Sequence, residues 1–130
     1  MKGTIDIINK VSYARAQSKL RKISRSLGFN TTGTTCIVVV ALELLRYLIK
    51  YSGCTSIIWE KIEESNRKGI KLVFEDKQKI IPSIGEIIQV GANSRDRLGI
   101  ALSGAKALMD EFEISNKEGK GRKVIIKKWL

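Results

Sequence analysis

Apolar side chains recur along this chain with two periods, and the changes between them mark out its elements. Thr4 to Val11 reads as a strand, with Ile5, Ile7 or Ile8, and Val11 as its apolar positions. Tyr13, Ala16, Leu20, Ile23 and Leu27 then keep the helical spacing, which predicts a helix over 12–27. Ser12 suits its N-cap and Gly28 its C-terminal stop. Arg15, Lys19, Lys22 and Ser26 fall on its outer face. Residues 30–35, Asn-Thr-Thr-Gly-Thr-Thr, read as a turn and capping segment. A second helix is predicted over 35–51, apolar at Val38, Leu42, Leu45 and Ile49. Its polar residues Glu43, Arg46, Tyr47 and Lys50 share one face. The β-branched run 37–40 argues for a strand, but the length and later pattern of the segment favour the helix.

Alternation returns at 56–63 and 69–76, a hairpin joined by turn residues 65–69. Pro82, Gly85, Gly91 and Asn93 punctuate an irregular region, with a short helix suggested near 84–90. Leu98, Leu102, Ala105, Met109 and Phe112 restore the helical period and predict a helix ending at 112. Closing strands are expected at about 113–116 and 122–129. The order suits one α+β domain over 1–130: a two-layer α/β sandwich with helices on one face of a mostly antiparallel sheet.

Composition narrows the classes. Of the residues, 43% are hydrophobic and 28% charged, a globular balance. Cys36 and Cys54 are too few for a disulfide framework, so free thiols and a cytoplasmic location are the expectation. The N-terminal Met-Lys-Gly-Thr-Ile-Asp has no apolar run of signal-peptide length, and no run approaches a membrane span. The absence of histidine excludes Ser-His-Asp and Cys-His nucleophilic systems, leaving a carboxylate, lysine or tyrosine as general base. The net charge of +11 resides in the ends: residues 1–27 carry seven Lys or Arg against Asp6, and 117–130 carry six against Glu118. Such ends suit an anionic partner or simply a solvated surface. No aromatics interleave with the basic residues, which disfavours a single-strand nucleic-acid binder.

The small residues Gly99, Ala101, Gly104 and Ala107 open the 98–112 helix with little side chain. Bare N–H groups at such a start suit a phosphate, though glycine there more often serves close packing. Several stretches together resemble the GHKL (Bergerat-fold) ATP-binding superfamily. They are Ser26-Leu27-Gly28-Phe29, Leu42-Glu43-Leu44-Leu45-Arg46, Glu75-Asp76 followed by Pro82, Ala107 to Phe112, and Lys128-Trp129-Leu130. More narrowly, the chain is similar to the small serine/threonine kinases and anti-sigma regulatory factors of bacterial partner-switching systems, of the stressosome switch kinase type.

The resemblance implies a Bergerat ATP-binding fold, ATP and Mg²⁺ as cofactors, and a sigma factor or STAS-domain protein as partner. It leaves room for a homodimer. It places Glu43 as general base toward an incoming serine hydroxyl, whereas the residues alone equally suit a surface glutamate pairing with Arg46 or Tyr47. It places Asp76 on the adenine amino group, where a turn-forming aspartate is the plain alternative. Arg97, Gly99 and Gly104 fall in its phosphate-binding lid, and Glu43, Arg46 and Lys50 on its partner surface. The departures are as specific. Tyr47 stands at the family's Mg²⁺-holding Asn, Gln78 and Ile80 at two glycines, and Arg122 at a threonine near the adenine. The expectation is a kinase-like regulator acting mainly by protein binding, with ATP chemistry weakened or lost. An active kinase on a STAS-domain substrate and a basic nucleic-acid-binding domain are the alternatives.

Overall fold

The computed structural model describes residues 1–52, 55–76, 107–116 and 122–130. In chain order these form β1 (Lys2–Ile7), α1 (Lys10–Ser26), α2 (Thr31–Ser52), β2 (Thr55–Glu64), β3 (Arg67–Asp76), β4 (Glu111–Asn116) and β5 (Arg122–Trp129). The strands make one sheet in the order β1-β2-β3-β5-β4, every pair antiparallel.

The register explains why both helices lie on one side. Ile5 pairs with Ile57, Ile57 with Phe74, and Phe74 with Val124, so these four share a face. Ile7, Ile70, Leu72 and Ile126 alternate onto the same face. All eight are buried in one core with Ala16 and Leu20 of α1 and Ile37, Val40, Ala41, Leu44, Leu45 and Leu48 of α2. The expected two-layer α+β sandwich is what forms. Among the described residues, no helix is long and apolar enough to cross a membrane.

Several element boundaries differ from the periodic reading. β1 stops at Ile7, because Asn9 and not Ser12 caps α1. The Asn9 Oδ1 accepts from the Ser12 N–H at 2.8 Å, and the Ser12 hydroxyl accepts from the Asn9 N–H at 3.0 Å. This reciprocal box satisfies two donors at the helix start and draws Val11 into the first turn. Gly28 follows the α1 cap with φ of 105°, the left-handed stop expected of it. In the 30–35 segment only Asn30 stays outside the helix. Its Oδ1 accepts from the Gly33 N–H at 2.8 Å, and α2 runs on from Thr31.

The hairpin turn shrinks to Ser65 and Asn66, both at positive φ, which lets the strands pair out to Glu64 and Arg67. At the end of the predicted 98–112 helix, only Ala107 and Leu108 are helical among the described residues. Glu111 and Phe112 belong to β4, where Phe112 pairs with Ile126. Ladder pairing with β5 outweighs the helical period there. The start of that segment, the irregular region 77–98 and the short helix near 84–90 lie outside the described residues.

Each tryptophan packs over a cross-strand glycine. Trp59 pairs with Gly3, and a Cβ on Gly3 would come within 2.7 Å of the indole nitrogen. Trp129 pairs with Gly69, where a Cβ would meet the Lys128 carbonyl and, at 2.9 Å, the Trp129 ring. Gly69→Ala should therefore destabilise the fold by about 1–3 kcal/mol, read as a lowered urea midpoint. An unchanged midpoint would show that the ring and strand give way freely.

Candidate functional site

The C-terminal part of α2 meets one end of the sheet. Two residues separate Ser52 from Thr55, so the helix ends beside the start of β2. There Ser56 pairs with Glu75, and Asp76 pairs with Arg122. The Thr55 hydroxyl donates to the Glu75 carbonyl at 2.6 Å, fixing the strand just before Asp76. Lys123 holds the Glu75 carboxylate at 3.4 Å on the other side. The last residue of a central strand and the C-terminus of α2 thus lie at the same end of the sandwich.

On α2, Glu43 and Arg46 come together with N···O of 3.7 Å. The Glu43 side chain keeps 28% of its exposure and that of Arg46 66%. The contact is an open one, one turn apart along the helix, and contributes only about 0.3–0.5 kcal/mol. Tyr47 and Lys50 follow on the same helix, and Asp76 closes β3. Arg97, Gly99 and Gly104 lie outside the described residues, and among the described ones the structure brings together only Glu43 and Arg46.

Tyr13 adds a contact that the sequence pattern does not reveal. Its helical spacing marks it only as core, yet its hydroxyl donates to the Leu42 carbonyl at 3.3 Å. This bond ties the first turns of α1 to α2 immediately before Glu43. A carbonyl already engaged in a helix accepts the extra bond through its second lone pair.

The opposite end of the sheet carries a cleft of about 470 Å³ lined by Glu64, Arg67, Asp110, Glu111, Trp129 and Leu130. Two of its three carboxylates are engaged internally. Asp110 accepts from the Trp129 backbone N–H at 2.7 Å, and Glu111 from the indole N–H at 3.1 Å. The Arg67 guanidinium lies 4.4 Å from the Trp129 ring centroid. These contacts lock β5 to the hairpin and to the entry of β4. They were invisible in sequence because the partners lie far apart along the chain.

The end-to-end likeness to a curated protein decides the family. The serine/threonine-protein kinase RsbT of Bacillus subtilis (strain 168) is 31% identical over 126 residues, covering 97% of this chain and 95% of its own length. The chain belongs to the RsbT family of serine/threonine-protein kinases. No family model matches it. Among solved structures, the SiaB–SiaC complex from Pseudomonas aeruginosa is similar, with a TM-score of 0.59 at 10% identity. That match covers 100% of this chain and 89% of the other, and is a likeness of fold.

Within this RsbT relative, the Glu43–Arg46 contact is too exposed to hold the fold. Glu43→Gln should shift stability by less than about 1 kcal/mol. Thermal denaturation tests this, and a larger loss would make the pair structural.

Proposed function

We propose that the protein is a kinase-like partner-switching regulator that acts mainly by binding another protein, with ATP binding and kinase activity weakened or lost. The observation that carries this reading is the near full-length relation to RsbT in a chain whose nucleotide-binding positions are altered.

Phosphoryl transfer by this family's route needs Mg²⁺ placed by oxygen ligands in a tight octahedron. The donors on α2 do not fit that ion. Tyr47 brings a bulky neutral phenol where an amide oxygen is wanted, and the Glu43 carboxylate leans on Arg46. Gln78 and Ile80 add side chains where the resemblance expects bare backbone near the base. We therefore derive no step through MgATP. Asp76, Arg97, Gly99 and Gly104 are inherited positions whose nucleotide role has decayed.

What remains is contact. Glu43, Arg46 and Lys50 form part of the partner surface, and the partner is a STAS-domain protein or a sigma factor offering an acidic face. A fold relative occurs in a two-protein complex, SiaB–SiaC, which agrees with function by association. Exposed charges of this kind set encounter rate and specificity more than affinity. A second reading, an active kinase with Glu43 as general base, is favoured by one feature: its side chain keeps 28% exposure, open to an incoming hydroxyl. A nucleic-acid-binding role has charge alone in its favour.

Two measurements test the proposal. Calorimetric titration with MgATP should give weak binding or none. A low-micromolar dissociation constant that is lost in Asp76→Ala would restore the kinase. Arg46→Glu should slow association with a STAS-domain or sigma-factor partner, more so at low salt, while leaving the melting temperature nearly unchanged. An affinity for that partner unchanged by Arg46→Glu would remove α2 from the interface.

A further inference from the structure

The exposed half of α1 is an electrostatic feature that the α2 surface does not use. The helix carries Lys10, Arg15, Lys19, Arg21, Lys22 and Arg25 and no carboxylate. All six cations are exposed. Among the described residues none of them is in an ion pair, although four pairs form elsewhere. Arg15–Lys19 and Arg21–Arg25 stand at i,i+4, and Lys19–Lys22 and Lys22–Arg25 at i,i+3, so each pair repels its neighbour on the helix surface. The first turn has no acid and begins with Lys10, against the helix dipole. The fold thus carries a concentrated, uncompensated positive charge that nothing in its own described residues offsets.

The arrangement selects among anionic partners. At about 100° per residue, the cations span roughly half the circumference and about 22 Å of length. Lys10 and Arg21 lie along one side, Arg15, Lys19 and Lys22 along the other, and Arg25 closes the far end. Between them run Val11, Ala14 and Ser18, all exposed and all short. Such a low central line flanked by charge receives a helix of complementary pattern. A duplex reader would instead line that centre with amide or arginine side chains to meet base edges, whereas on α1 only Arg25, at the far end, falls there. A membrane-surface helix would turn a continuous apolar face outward, but Ala16 and Leu20 of α1 are committed to the core.

We propose that this half of α1 is a docking face for an acidic amphipathic helix of a partner protein. The partner's small apolar side chains lie along Val11, Ala14 and Ser18, and its carboxylates meet the cations on both sides. This face is distinct from the Arg46 surface of α2 and stands or falls independently of it.

The test uses the full chain and a synthetic helical peptide about four turns long, with an alanine and leucine spine flanked on both sides by glutamate. Fluorescence anisotropy should show binding that weakens with salt. A scrambled peptide of the same composition should bind at least about tenfold more weakly. Lys19→Glu together with Lys22→Glu should also weaken binding about tenfold or more, with the circular dichroism spectrum retained. Val11→Asp should weaken it while leaving every cation in place, and Arg46→Glu should change it less than about twofold. Equal affinity for the scrambled peptide, absence of binding, or no response to the α1 substitutions overturns the proposal. So does tighter binding of duplex DNA or phosphatidylserine vesicles that is lost with the same double substitution. Loss with Arg46→Glu alone moves the docking to α2, which supports the proposed function and rejects this inference.

Discussion

Burial of α2 is the constraint on which the rest of this structure depends. From Ile37 to Leu48 the helix packs into the core shared by α1 and the sheet, and seven of its apolar side chains in that stretch are buried. Six of them are Val, Ile or Leu, each of which stabilises the fold by about 1.5–3 kcal/mol when removed from water. That gain outweighs the poor helix propensity of the β-branched run 37–40, where tertiary burial overrides local preference. It also leaves the helix little surface for function. Among the side chains described in that stretch, Val39 and Arg46 are the exposed ones, and Glu43 is half-buried beside Arg46. The polar residues of α2 are presented by a rod that cannot rotate without emptying the core.

The sheet receives α2 because one of its faces is apolar across all the central strands. The other face pairs its charges locally. Lys123 meets Glu75 between β5 and β3, and Lys127 meets Glu111 between β5 and β4. Where opposite charges lie within reach, this fold uses them. Among the described residues the cations of α1 have no such neighbour, which sets that helix apart electrostatically from the sheet. The two helices thus present surfaces with different chemistry. That of α2 is mixed in sign at Glu43 and Arg46. The other is wholly basic and lies along α1.

The far end of the sheet has a structural task. Trp129 sits over Gly69, beneath the Arg67 guanidinium, with its backbone and indole donors taken by Asp110 and Glu111. The last strand is thereby fastened on both sides, although β4 reaches it from beyond residue 106. With that end fixed, the opposite end, where α2, β2 and β3 meet, holds Asp76 in place by antiparallel pairing with Arg122.

By itself the sequence determined most element types, the face that β3 buries and the family. Alternation at Ile70, Leu72 and Phe74 and helical spacing at Ala16 and Leu20 reflect periods of two and 3.6, which are local properties of the backbone. The likeness to RsbT runs nearly end to end and was legible in short motifs such as Leu42 to Arg46. Tertiary structure decided what depends on partners distant in sequence. It assigned Phe112 to a strand, since pairing with Ile126 outweighs a helical period. It moved the α1 cap to Asn9, since two reciprocal hydrogen bonds outweigh the single cap offered by Ser12. It set Tyr13 against the Leu42 carbonyl and Trp129 over Gly69. Those contacts follow from strand register and helix packing, and register is fixed only when the whole sheet buries its apolar face at once.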